Sequence, residues 1–98
     1  MSTSEQVAIL DKAIELISPE GAWCGNSWAS NSGQGQFDLN DALCAKKGSW
    51  KDRAAVFDLC KKEVGIADTD HLHYWNEHSK RTQQEVIDLL KRVRDKLA

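Results

Sequence analysis

Tyr74-Trp75-Asn76-Glu77-His78-Ser79-Lys80-Arg81-Thr82-Gln83-Gln84-Glu85-Val86 is the stretch that decides the fold, because an aromatic and polar cluster runs straight into an encoded helix start. Thr82 and Glu85 have the spacing of a capping box, in which each side chain takes up the other residue's unpaired backbone N–H. Val86, Leu89, Leu90, Val93 and Leu97 then recur at helical spacing. The pattern predicts a helix from residue 83 onward, entered from a tryptophan-bearing junction. Asn76 and Glu77 sit where one element ends and the next begins, and their default role is to satisfy backbone groups there.

Working back along the chain, Asp68-Thr69-Asp70 offers an N-cap for a brief helix or turn over His71 to Trp75. Ser49 and Asp52 repeat the cap-and-acid signature, and Trp50, Ala54, Phe57, Cys60 and Val64 share one face of a helix that Gly65 ends. A short helix over about residues 39–47 carries Leu39, Ala42, Leu43 and Cys44, with Asp38 as its cap and Gly48 as its stop. Residues 21–37 differ in kind. Gly, Ser, Asn and Gln dominate, Trp23, Trp28 and Phe37 are set among them, and neither helical nor strand periodicity is present. Before this long polar loop, Thr3 and Gln6 form a second capping-box pattern, and Val7, Leu10, Ile14 and Ile17 define a helix over about residues 4–17. Ser18-Pro19-Glu20-Gly21 stops it.

No run of alternating β-branched residues and no hairpin signal occurs, so the expectation is an all-α domain of three main helices and two short ones. With 98 residues the chain makes a single small domain, since a chain of this size buries only about 60–70% of its unfolded surface around one core. Val7, Leu10, Ile14, Ile17, Phe57, Cys60, Val86, Leu89, Leu90 and Val93 are expected to form that core, with Trp75 packed against it.

The formal charge of −2 argues against a dedicated nucleic-acid binder. Its distribution is uneven. Glu5, Asp11, Glu15 and Glu20 face only Lys12 in the first helical region, whereas Lys80, Arg81, Lys91, Arg92, Arg94 and Lys96 outnumber Glu85, Asp88 and Asp95 in the last. The two helices can pair within one molecule or across a homodimer; two solvated faces are the plainer account. Three cysteines, an odd number, with no cleavable apolar leader point to a reducing compartment, and no apolar stretch is long enough to span a bilayer. A soluble, cytoplasmic protein without a membrane contact is expected.

Cys24-Gly25-Asn26-Ser27-Trp28 is similar to the nucleophile segment of papain-like proteases, but serine stands at the nucleophile position and the chain is too short to hold the distant histidine and asparagine. His71, His73 and His78 with Cys24, Cys44 and Cys60 lack any standard zinc spacing, so neither a metal nor a cofactor is expected, and Cys44 and Cys60 are assigned to the core. Gly33-Gln34-Gly35 lacks the flanking strand and lysine of a phosphate loop. Lys46, Lys47, Lys51 and Arg53 around Trp50, with Lys61 and Lys62 beyond, read as a solvated rim about a core tryptophan.

The ordered set Gly21-Ala22-Trp23, Ala42-x-Cys44-Ala45, Trp75-Asn76-Glu77 and Arg81-Thr82-x-x-Glu85-Val86 resembles the domain of unknown function 6197, a family of small bacterial and phage proteins. Here Cys44-Ala45-Lys46-Lys47-Gly48-Ser49 has one residue more than that family's Cys-Ala-x-Gly-Ala. The resemblance implies a helical fold with a shared Trp/Asn junction, and no activity, cofactor or catalytic residue.

The functional expectation is a non-enzymatic binding protein. Its contact surface is placed on Trp23, Asn26 and Trp28 of the loop and on Trp75, Asn76, Glu77 and His78 of the junction, since a long polar loop with aromatics on a rigid scaffold suits partner capture. The phage membership of the resembled family makes inhibition of a bacterial defence complex its most concrete form. The second reading is a small-ligand pocket, for a nucleotide-like molecule, walled by the same tryptophans.

Overall fold

A computed structural model describes residues 3–25, 35–46, 48–67, 71–77 and 81–97, with His73 described in its backbone alone. Among these residues the secondary structure is five helices: α1 Thr3–Ile17, α2 Leu39–Cys44, α3 Trp50–Val64, α4 Leu72–Asn76 and α5 Gln83–Leu97. One isolated parallel bridge, between Trp23 and Phe37, is the sole β pairing among them. The all-α architecture expected from the sequence is therefore the one observed.

α1 lies at the centre, packed against α5, α2 and α3. Its buried stripe of Ile9, Leu10, Ala13 and Ile17 meets Val86, Leu89, Leu90 and Val93 of α5, Leu39 and Leu43 of α2, and Val56 and Cys60 of α3 in one continuous core. α5 is amphipathic because its apolar residues repeat every three or four positions while Lys, Arg and Asp fill the opposite side, so one face is buried and the other charged.

Helix ends follow their chemistry. Thr82 and Glu85 close the capping box, with Thr82 N donating to Glu85 Oε1 at 3.1 Å and Glu85 N donating to Thr82 Oγ1 at 3.2 Å. Asp38 caps α2 by accepting from Asp41 N at 2.7 Å. Ser49 caps α3, and Gly65, at φ 78°, ends it in the left-handed conformation with its N–H on Lys61 O and Lys62 O. The last carbonyl of α1 and the turn after it are held from outside: Gln83 Nε2 donates to Ile17 O at 2.6 Å and to Pro19 O at 2.8 Å.

Five expectations are corrected. Thr3 is already inside α1, and Gln6 is buried, donating from Nε2 to Asp52 Oδ1 at 3.3 Å, so this pair is not a capping box. α2 stops at Cys44 rather than near residue 47, because Ala45 tightens the last turn with its N–H on Ala42 O at 3.3 Å. The inner face of α3 is Asp52, Val56 and Cys60, while Trp50 is 69% exposed and Ala54 exposed. The bond to Gln6 lets Asp52 turn inward and rotates Trp50 out. Cys44 is exposed rather than in the core, whereas Cys60 is buried and its thiol is pushed up to about 12 by that burial. Val7 is half-buried and lies outside the core cluster. The N-cap expected at Asp68-Thr69-Asp70 lies outside the described residues. No helix among the described residues is long and apolar enough to cross a membrane.

The acidic α1 and basic α5 do pair within the molecule, Arg94 Nη1 meeting Asp11 Oδ1 at 3.2 Å. Glu63 of α3 gathers two more cations of α5, Arg92 at 3.0 Å and Lys96, whose hydrogen bonds hold its carboxyl below the usual range.

Candidate functional site

The Trp-Asn-acid segment ends α4 and meets the base of the polar loop. Asn76 is 0% exposed, and every polar atom of its amide is used: Oδ1 accepts from Trp23 Nε1 at 2.7 Å and from Leu39 N at 3.3 Å, and Nδ2 donates to Cys24 O at 3.2 Å. One side chain thus joins α4, the start of α2 and the chain entering the loop. Burying an amide is costly unless it is paired, and here both its oxygen and its nitrogen are paired.

The exit of the loop is fastened to its entry. Cys24 N donates to Phe37 O at 2.8 Å and Phe37 N to Ala22 O at 2.7 Å. The Trp23 ring folds over Gly25 so closely that a Cβ there would meet it at 3.0 Å. Ala22, Cys24 and Phe37 therefore form a neck held in place by Trp23 and Asn76.

Beside this neck lies a groove of about 410 Å³ between the end of α1 and the returning chain. Leu16, Ala22 and Phe37 line it with Pro19, and Glu15 and Glu20 stand with Gln36 around them. Both glutamates are exposed, and among the described residues the ion pair between them and a cation is a long one, Lys12 to Glu15 at 3.9 Å. The groove is apolar and rimmed with negative charge.

On the other side of the junction, Trp75 is half-buried under Arg81, whose guanidinium carbon lies 3.8 Å from the ring centroid. Arg81 Nε also donates to Trp75 O at 2.9 Å and Nη1 to Glu85 Oε2 at 2.8 Å, and this pairing lowers the Glu85 carboxyl. Val64, Asp88 and Arg92 complete a depression of about 270 Å³ there. Glu77 is half-buried and its charge reaches Asp38, the buried cap of α2. Burial raises the Asp38 carboxyl above its ordinary value, the carboxylates of Asp41 and Glu77 add to the rise, and the bond from Asp41 N opposes it.

Of the residues the sequence singled out, Trp23, Trp75, Asn76 and Glu77 are brought to one junction, with Trp23 and Asn76 directly bonded. Asn26, Trp28 and His78 lie outside the described residues, as do Gly33, Gln34 and the His73 side chain. The structure adds Phe37, Arg81 and the Glu15 and Glu20 rim. Only Arg81 had a local signal, its place beside the capping box; the others meet the site through chain reversal, which no spacing encodes. Among the described residues no group of three or more His, Cys, Asp or Glu is placed to hold a metal ion.

The family model described as Family of unknown function (DUF6197) matches residues 1–96. No curated protein and no solved structure matches the chain.

Proposed function

We propose that this chain, which belongs to the family of unknown function DUF6197, acts by binding another protein, taking an apolar and basic segment of it into the groove beside the loop neck. The observation that carries this reading is the coupling of an apolar, acid-rimmed groove to a neck clamped by Trp23, Phe37 and Asn76. A rigid base lowers the ordering cost of binding, and Leu16 with Phe37 supplies a surface for an apolar anchor. Glu15 and Glu20 favour a partner carrying Lys or Arg beside that anchor. The polar groups of the junction itself are turned toward one another, which suits a scaffold for a contact surface.

The ligand-pocket reading finds less support in the geometry. The depression at Trp75 lies below the roughly 300 Å³ of common ligand pockets, and both of its arginines are engaged by carboxylates, Arg81 by Glu85 and Arg92 by Glu63. A phosphate would have to displace those pairs. The narrower expectation of a phage-borne inhibitor of a defence complex draws on the resemblance alone.

The test is affinity capture from cells expressing tagged protein, comparing wild type with Glu15→Lys/Glu20→Lys and with Leu16→Arg. Each variant should lose the captured protein at least about tenfold, a loss of roughly 1.4 kcal/mol in binding, while the melting temperature stays within a few degrees. Undiminished capture by all variants would reject this groove, and a small molecule released from wild-type protein on gentle denaturation would favour the pocket.

A further inference from the structure

The outward face of α3 carries a stripe whose spacing is the same read in either direction: Lys51, Ala54, Ala55 and Asp58. At about 3.6 residues per turn these four positions fall along one side of the helix. Lys51, Ala54 and Asp58 are exposed, Ala55 is half-buried, and together with Trp50 they line a shallow dish of about 510 Å³. Among the described residues no ion pair engages Lys51 or Asp58, and Lys51 Nζ lies 5.9 Å from the centroid of the Trp50 ring. Trp50, 69% exposed, borders the stripe as a large apolar group that the core does not use.

We infer that this face is the seat of a second copy of the chain, with the two α3 helices antiparallel about a two-fold axis that passes between Ala54 and Ala55. Lys51 and Asp58 are equally far from that axis along the helix, so each Lys51 meets Asp58 of the other copy. The contact is isologous and closes on itself. The two alanines stand at the crossing point, where small side chains let helix backbones approach within the usual 8–10 Å. Trp50 flanks the seam from both copies, and an accessible tryptophan at such an edge is a common anchor of interfaces. A parallel pairing of the same faces would set Lys51 against Lys51 and Asp58 against Asp58, so the charge order selects the antiparallel register. Because the contact is one helix face, it belongs with the small interfaces, roughly below 1,200 Å² of buried area, and the dimer is a reversible one. This inference is independent of the groove beside the loop neck.

Sedimentation velocity of the full chain across a wide concentration series tests it. Wild-type protein should pass from monomer to dimer as concentration rises, and Trp50→Ala should weaken the dimer at least about tenfold. Lys51→Asp alone and Asp58→Lys alone should each remain monomeric over the same range. Mixing those two variants should restore a heterodimer, since every facing pair is then of opposite sign, and the Lys51→Asp/Asp58→Lys double variant should dimerise by itself. Because all three side chains project from the outer face, far-ultraviolet circular dichroism should show unchanged helicity throughout. A wild type that stays monomeric at every concentration overturns the inference, as does a dimer that charge reversal leaves intact or that the mixture fails to restore.

Discussion

Asn76 is the residue on which the loop, α2 and α4 converge, and the energetics of its amide follow from its complete burial. Truncation to alanine removes the acceptor of Trp23 Nε1 and Leu39 N and the donor to Cys24 O. Since an orphaned buried polar group costs about 1–3 kcal/mol, Asn76→Ala should lose on the order of 3 kcal/mol in denaturant titration. Asn76→Asp separates the two halves of the amide. It keeps an acceptor for Trp23 and Leu39 but turns a carboxylate oxygen toward Cys24 O, and Asp38, the residue before Leu39, already has a raised carboxyl. The introduced acid should have a folded-state pKa above its unfolded value, so its penalty is largest at neutral pH and shrinks as pH falls through the folded value. Equal destabilisation at neutral and mildly acidic pH would contradict this. The tryptophan-asparagine junction was legible in the sequence as a place where backbone groups need partners. That Trp23 would be one of them was not, because their contact bridges distant parts of the chain.

At the scale of the element, one sequence pattern met two fates. Thr82 with Glu85 is a working capping box, whereas Thr3 with Gln6 has the same spacing and is not, since Gln6 faces inward to Asp52. Thr82→Ala should therefore destabilise by about 0.5–2 kcal/mol through the lost acceptor for a helix-start N–H, while Thr3→Ala, inside α1 and exposed, should be close to neutral. Thermal melts of the two variants check the contrast, and equal losses would contradict it. α3 makes a related point. Its ends were readable, because Ser49 and Gly65 act through local backbone geometry. Its inward face was misassigned, because hydrophobicity alone favours Trp50 over Asp52, whereas Asp52 turns inward to a buried partner on α1.

For the whole molecule, stability rests on α1 and the two long helices packed around it. Leu89→Ala opens a cavity at a fully buried site of α5 and should cost about 2–5 kcal/mol, a large share of the roughly 5–15 kcal/mol by which a domain is stable. Trp50→Ala, removing a larger side chain, should leave the melting temperature of dilute protein almost unchanged because that side chain is already in water. Urea titration of the two variants side by side reads the difference, and a large loss from Trp50→Ala would place it in the core after all. The sequence by itself determined the helical class, the places where α3 and α5 begin, the end of α3 and the apolar seam of α5, because caps and periodicity act over a few residues of backbone. Only the tertiary structure decided that Asn76 bonds Trp23, that Phe37 closes the loop, that Gln83 seals the end of α1 and that Trp50 faces outward. Each of these depends on which distant partner satisfies a polar group removed from water, and that choice exists only once the helices have packed.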